Sequence, residues 1–215
     1  GPVTSVVANG RYVYALNSEA IGADITVLDV LNVNDPQVVG SYTTFGSAQK
    51  AVIVDTLMYL AAGAAGLEII NISDPANLIK IGSAPGGTGS VDVTVVGNYA
   101  YMANSSSGVR IYDISIPTNP ILAGNYNTPG LAAAIEIYNG YAYVADVYSM
   151  EVYNVSNPAA PSFVGFINGG YNGVEIQGRY MFVTTIATFD IFDLVNPESP
   201  LFLSTFVVTP SPYGI

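Results

Sequence analysis

The chain has 215 residues, of which half are hydrophobic and a tenth are charged. Sixteen acidic residues against five basic ones give a net charge of −11, which argues against binding to nucleic acid or to an anionic membrane surface. Because the chain has no cysteine and no histidine, disulfides, thiolate chemistry, histidine-based triads and histidine metal ligands are excluded. No apolar run approaches the ~18–20 residues of a membrane-spanning helix, so membrane insertion is not expected.

One five-residue block recurs five times and divides the chain into similar units. The last residue of each block is aspartate or asparagine, and successive copies are 42, 42, 41 and 39 residues apart. Self-similarity at such a period is typical of stacked repeat units. The blocks are ITVLD at 25–29, LEIIN at 67–71, VRIYD at 109–113, MEVYN at 150–154 and FDIFD at 189–193.

Each unit contains four strand-like runs in a fixed order, which we name strands A to D. Strand A is apolar, as in 91–96, and ends at a tight turn such as Asn9-Gly10 or Asn139-Gly140, whose residues tolerate positive φ. Strand B carries an aromatic anchor, and strand C is the five-residue block. Strand D lies beyond prolines that cannot continue a central strand. The anchors are Tyr14, Tyr59, Tyr101, Tyr143 and Phe182.

Four antiparallel strands per unit, repeated at this period, predict an all-β fold without helices, a five-bladed β-propeller. The chain is predicted to be a single domain over 1–215. Because 209–215 parallels 128–134, the lead-in to a strand A, the chain is expected to end in phase with its beginning. This favours a ring in which the first and last blades cover each other, and the alternatives are a five-blade fragment of a longer propeller and an open array. The predicted repeats are about 3–49, 50–90, 91–132, 133–172 and 173–215.

The repeat resembles the LVIVD repeat of bacterial and archaeal surface proteins. The resemblance rests on the five blocks and on the Asn-Pro-x-x-Pro sequences at 157–161 and 196–200, and it covers the whole chain. The first unit departs from the pattern, because Val33 stands where the other units have the first proline. The resemblance implies a propeller on or outside the cell, and it implies no catalytic residue.

Three acidic residues depart from the repeat on strand A, which is the innermost strand of a propeller blade. Counting back from the anchors places Glu136 and Glu175 in the same slot and Asp92 two residues from it. These carboxylates are expected to approach the central channel, where a pair could act as the acid and the base or nucleophile of a glycosidase. The competing interpretation is a set of solvated channel residues, or a structural cation or water site.

The remaining polar and aromatic positions divide into framework and loops. Aspartate and asparagine interchange at the end of strand C, so this residue is expected to cap an Asx turn. The second residue of each block is polar and is expected to form a solvated rim, or alternatively an acidic face that attracts a cationic partner. Phe45, Tyr148 and Tyr171 lie in loops and do not recur, which is typical of binding elements, although loop packing also accounts for them. The rim positions are Thr26, Glu68, Arg110, Glu151 and Asp190.

These features favour a non-catalytic extracellular or cell-surface module that binds a protein or another ligand. A carbohydrate-binding or glycoside-hydrolase-like propeller that uses the channel carboxylates is the second hypothesis, and a structural surface-layer or spacer unit is the third. No catalytic residue, metal site or cofactor is predicted, and the oligomeric state is left open. The ligand-binding candidates are Asp92, Glu136, Glu175, Phe45, Tyr148 and Tyr171.

Overall fold

A computed structural model of the chain describes residues 3–18 and 24–208. Within these ranges the chain forms twenty β-strands and no helix, as predicted. Segment 209–215, whose likeness to 128–134 bears on ring closure, lies outside the described residues.

The strands follow one another in five groups of four, and each group forms one blade. Blade 1 contains β1 (Val3–Asn9), β2 (Tyr12–Asn17), β3 (Ile25–Asp29) and β4 (Gln37–Tyr42). Blade 2 contains β5 (Lys50–Val54), β6 (Leu57–Ala61), β7 (Leu67–Asn71) and β8 (Ile79–Ala84). Blade 3 contains β9 (Asp92–Val96), β10 (Tyr99–Ala103), β11 (Val109–Asp113) and β12 (Ile121–Tyr126). Blade 4 contains β13 (Ala132–Tyr138), β14 (Tyr141–Asp146), β15 (Ser149–Asn154) and β16 (Ser162–Asn168), and blade 5 contains β17 (Gly173–Gln177), β18 (Tyr180–Thr184), β19 (Thr188–Asp193) and β20 (Leu201–Val207).

Every blade is an antiparallel sheet in which neighbours in sequence are neighbours in space. The inner strands of consecutive blades pack side by side, β1 on β5, β5 on β9, β9 on β13 and β13 on β17. The predicted five-bladed β-propeller of four-stranded blades is therefore confirmed.

Local sequence signals account for the turns inside each blade. The A–B hairpins place Gly10, Gly97, Asn139 and Gly140 at positive φ, where these residues carry little strain. The Asp or Asn that ends each strand C accepts a hydrogen bond from the backbone N–H two residues later, at 2.9–3.0 Å, in all five blades. These residues therefore cap Asx turns, as predicted, and a neutral amide serves there as well as a carboxylate.

Each blade buries its two faces against its neighbours. We call the face that carries the strand-B aromatic anchor the anchor face, and the other the opposite face. Tyr14 and Leu16 on the anchor face of blade 1 pack with Met58 and Leu60 on the opposite face of blade 2. The same arrangement joins blade 2 to 3, 3 to 4 and 4 to 5, so four interblade cores stabilise the array.

A glycine in strand D allows the close approach of consecutive blades. A Cβ added to Gly40 would lie 2.1 Å from the carbonyl oxygen of Pro75 in the next blade. Gly82 and Gly124 meet a proline carbonyl of their next blade in the same way, at 2.0 and 2.1 Å. Any larger residue would push the blades apart, which explains why this position is glycine where the blades are closest.

The outer faces of the first and last blades lack such a neighbour. Val6 on the opposite face of blade 1 is 64% exposed, whereas its equivalents Ala51, Val93, Ile135 and Val174 are at most 8% exposed. No packing comparable to that between neighbouring inner strands joins β1 to β17 in the described part of the chain. The expectation that blades 1 and 5 cover each other is not met there, and among residues 3–18 and 24–208 the two end faces have no covering blade.

Candidate functional site

The strand registers place the channel acids where the anchors predict them. Glu136 lies opposite Tyr143 and Glu175 lies opposite Phe182 in their hairpins, so both acids occupy one slot of the inner strand. Asp92 is two positions away in β9, in the slot that Lys50 occupies in β5. Electrostatic interactions link Glu136 to Asp92, Glu175 and Lys50, and they link Asp92 to Glu175 and Lys50, so these side chains lie on the same part of the channel.

Asp92 fastens blade 3 to blade 4. Its side chain is 7% exposed. One carboxylate oxygen accepts the N–H of Val93 at 2.8 Å, and the other accepts the N–H of Ile135 in the next blade at 3.0 Å. Burial is the main cause that raises the pKa of Asp92, and Lys50 and the two N–H donors oppose it. With both oxygens engaged by backbone, this residue supports the interface.

Replacing Asp92 with alanine is expected to lower the free energy of unfolding by about 2 kcal/mol, because two inward N–H groups lose their acceptor. Chemical denaturation of the variant measures this loss. Glu175→Ala is the matched control, since Glu175 is an exposed acid of the same channel, and it should change stability by less than about 0.5 kcal/mol. Equal effects of the two substitutions would show that Asp92 does not fasten the blades.

Glu136 is a channel acid whose pKa lies well above its ordinary value. Burial, followed by the charges of Asp92 and Glu175, raises the pKa of Glu136 to about 7. The hydroxyl of Thr94 in blade 3 donates to it over a long 3.5 Å. A half-buried carboxyl with such a pKa can hold or release a proton near neutral pH.

The three loop aromatics have different environments. Phe45 is 73% exposed, its N–H donates to Glu68 at 2.7 Å, and the Lys80 ammonium lies 3.5 Å from its ring centroid. Tyr148 is 71% exposed. Tyr171 is only 4% exposed and belongs to the core between blades 4 and 5, so the expectation of an exposed ring is wrong there. Its hydroxyl instead donates to the carbonyl of Asn168 at 3.2 Å.

A groove between blades 3 and 4 gathers further aromatics around Tyr148. Its volume is about 630 Å³. Tyr148, Phe163 and Phe166 line it with rings that are 71%, 56% and 56% exposed. The loop after β12 forms one wall, and strands β15 and β16 form the other. The lining residues are Asn127, Thr128, Pro129, Tyr148, Ser149, Glu151, Tyr153, Phe163, Phe166 and Asn168.

The base of this groove is polar. Glu151 is 3% exposed and accepts a 2.5 Å hydrogen bond from the hydroxyl of Ser149. The buried hydroxyl oxygen of Thr128 has no hydrogen-bond partner among the described residues. Since an unpaired buried polar atom costs free energy, the hydroxyl of Thr128 is an unsatisfied polar group beside the groove.

Aromatic packing makes the groove wall rigid. Tyr126 of blade 3 stacks on Tyr153 of blade 4 with ring centroids 3.9 Å apart, and Phe163 meets Tyr153 edge-on at 5.4 Å. The hydroxyl of Tyr153 donates to the carbonyl of Asn127 at 3.0 Å. Burial, with the charges of Glu151 and Asp146, raises the pKa of Tyr153 to about 12, so its hydroxyl stays protonated. The groove is therefore largely preformed.

Sequence reasoning found Tyr148 but missed Glu151, Phe163 and Phe166 as groove residues. Glu151 was expected on a solvated rim, and this is wrong, because the residue lies under the groove. Glu68, the equivalent residue of blade 2, is also buried, at 1% exposure, and holds the loop at Phe45. The available signal was the pair of phenylalanines in β16, an outermost strand.

The described ranges contain no helix that is long and apolar enough to span a membrane. They also contain no group of three or more Asp or Glu residues placed to hold a metal ion.

The comparisons with known proteins bear on the family and on the fold. No curated protein matches the chain. The chain is similar to a solved protein from Lactobacillus plantarum (14% identity, TM-score 0.80, 97% of this chain and 72% of that one). It is also similar to PpgL, a periplasmic gluconolactonase from Pseudomonas aeruginosa (13%, 0.77, 94% and 69%). A third similar structure is the computationally designed Ika8 protein (10%, 0.72), in which 95% of this chain spans 61% of the designed chain, less than two thirds.

At these identities the likenesses show the β-propeller fold alone. The family is shown by sequence, since the family model of the LVIVD repeat matches residues 45–84, 87–128 and 129–169, more than half of the chain. Together with the five four-stranded blades, these matches mean that the chain belongs to the LVIVD repeat family.

Proposed function

We propose that this chain is a non-catalytic extracellular or cell-surface module that binds a small saccharide in the groove between blades 3 and 4. The observation that carries the proposal is the set of three exposed rings, Tyr148, Phe163 and Phe166, above the buried carboxylate of Glu151. A rigid scaffold that presents exposed rings on a preformed concave surface is typical of a binding site.

The chemistry of the groove favours a ligand with one apolar face and several hydroxyl groups. The rings offer flat apolar surface, to which a sugar can present its C–H face. Asn127 and Asn168 line the groove and can donate or accept hydrogen bonds, and Glu151 lies at its base as an acceptor. A volume of about 630 Å³ lies in the ~300–1,000 Å³ range of small-molecule sites, so it suits a small saccharide better than a protein surface.

A non-catalytic role is supported by how the polar groups are used. The hydroxyl of Ser149 already donates a hydrogen bond to Glu151, and both side chains are buried, so Ser149 holds the carboxylate in place and is not a free nucleophile. The proposed location rests on the acidic, charge-poor composition and on the family. Protease treatment of intact host cells should degrade an exposed protein, and survival of the protein would contradict that location.

Substitution of the groove rings tests the proposal. Wild-type protein should bind a subset of glycans on a glycan array, and Tyr148→Ala and Phe166→Ala should each lose at least tenfold in affinity, because each removes a ring from the wall. Phe45→Ala is the matched control, since it removes a ring at least as exposed from the loop between blades 1 and 2, outside the groove. Unchanged binding by both groove variants would contradict the site.

A channel enzyme is the second candidate function, and the pKa of about 7 at Glu136 favours it. A solved protein with the same fold is described as a periplasmic gluconolactonase, but at 13% identity it supports the fold only. Turnover of aryl glycosides or sugar lactones that disappears in Glu136→Gln would support this candidate. It ranks second because Asp92 is occupied by backbone donors and Glu175 is exposed.

A further inference from the structure

The uncovered face of blade 1 has the composition of a buried interface. Val13 and Leu28 on this face are only half-buried. Their equivalents in blade 2, Met58 and Ile70, are fully buried against blade 1. Together with Val6, which is 64% exposed, Val13 and Leu28 form an apolar surface. The residues at the equivalent positions of the other four blades are buried.

The uncovered face of blade 5 is also apolar. Phe182 and Ile191 are half-buried there, whereas the equivalent Tyr143 and Val152 of blade 4 are at most 1% exposed. Phe206 at the outer edge is 58% exposed.

The rings of this face form a continuous surface. Phe189 stacks on Phe182 with centroids 5.8 Å apart, and it pairs with Phe206 across the sheet. Exposed apolar patches of this kind mark interaction surfaces.

The two end faces are complementary by the logic of the repeat. At all four interblade cores an anchor face receives the opposite face of the next blade. Blade 5 presents an anchor face and blade 1 presents an opposite face. A further blade of the same repeat, which has one face of each kind, would therefore fit both end faces.

Ser204 in blade 5, which replaces the strand-D glycine, does not prevent a following blade. At the interface of blades 4 and 5, a Cβ added to Gly165 would meet no atom within 4 Å. A Cβ at this position is thus tolerated in at least one interface of this chain.

Two of the three fold comparisons favour two further blades, whereas the designed Ika8 protein, of which this chain spans 61%, would leave room for about three. The five blades cover 72% and 69% of the two solved chains that they match with TM-scores of 0.80 and 0.77. Five blades at about 70% of a fold leave room for two more of equal size. We propose that two further blades of the same repeat dock between the end faces of blades 1 and 5 and complete a seven-bladed propeller.

Extending the chain with its own repeats tests this proposal. Copies of 129–169, the blade 4 unit, are added after Val208 to give chains of five, six, seven and eight blades. The seven-blade chain should melt about 10 °C above the five-blade chain, and the six- and eight-blade chains should gain less, because only seven blades cover both end faces. Analytical ultracentrifugation should find five and seven blades monomeric. The dye 1-anilinonaphthalene-8-sulfonate should bind five blades and lose most of its fluorescence with seven.

Val6→Glu and Phe206→Glu are the paired controls. Both positions are exposed in the five-blade chain, so neither substitution should shift its melting temperature by more than about 2 °C, whereas each should remove most of the gain in the seven-blade chain. Melting temperatures that rise evenly with blade number would overturn the proposal. So would a head-to-tail oligomer that Val6→Glu dissolves, which would make a second copy the occupant. If the extended chains fail to fold, absence of dye binding by the five-blade chain overturns it, because the end faces would then be covered.

Discussion

Replacing Gly82 with alanine is expected to lower the free energy of unfolding by about 2–3 kcal/mol and the melting temperature by about 6–10 °C. The added Cβ would lie 2.0 Å from the carbonyl oxygen of Pro117 and 3.1 Å from its carbonyl carbon. Neither is the end of a flexible side chain, so blade 3 must move away from blade 2 and its core loses contact. Thermal and urea denaturation measure the effect.

Gly165→Ala is the matched control, because Gly165 occupies the same repeat position and a Cβ there meets nothing within 4 Å. Its free energy of unfolding should stay within about 0.5 kcal/mol of wild type. Equal losses at Gly82 and Gly165 would mean that the cost comes from strand D itself and that the close approach of blades 2 and 3 is not the cause.

Glu136→Gln is expected to stabilise the protein at pH 8 and to leave its stability unchanged at pH 4. The folded-state pKa of Glu136 is about 7, against an ordinary value of 4.5. Between these values the unfolded state releases a proton that the folded state retains, so stability falls as pH rises through this window. The penalty should reach about 1–2 kcal/mol above pH 7, after allowance for solvent around a half-buried group. Glutamine mimics the protonated acid and removes the penalty.

The difference in unfolding free energy between variant and wild type, measured from pH 4 to pH 8, isolates this residue from the other titrating groups. Asp35→Asn provides the comparison, because Asp35 is an exposed acid in the loop between β3 and β4, outside the channel strands. It should show no comparable rise between pH 4.5 and 7. A flat difference for Glu136→Gln would mean that the raised pKa of Glu136 is wrong.

The parts of the fold that depend on local sequence were predictable. The five blocks give the strand order, and the interchange of Asp and Asn at their ends identified the Asx turns that all five blades form. Counting from the anchors also placed Glu136 and Glu175 in one slot, as the strand registers show. These features repeat with the chain and need no knowledge of the neighbouring blade.

The parts that depend on contacts between blades were not predictable. Glu68 and Glu151 follow a hairpin as rim residues would, yet both are buried, and the loop from the preceding blade donates a hydrogen bond to Glu68. Tyr171 lies in a loop but fills the core between blades 4 and 5. From the sequence, Asp92 looks like an unpaired channel acid. In the structure its carboxylate accepts a hydrogen bond from the N–H of Ile135 in the next blade. The deciding neighbour lies 23 residues away in sequence for Glu68 and 43 residues away for Asp92, and no periodicity reveals it.

The central claim is that the groove between blades 3 and 4 binds a saccharide, and calorimetric titration tests it most directly. The glycan with the strongest array signal is titrated into the wild type, Phe166→Ala and Phe45→Ala. The account predicts a 1:1 complex with the wild type and Phe45→Ala, and an affinity at least tenfold weaker for Phe166→Ala. Equal affinity for all three proteins, or no binding to the wild type, would contradict it.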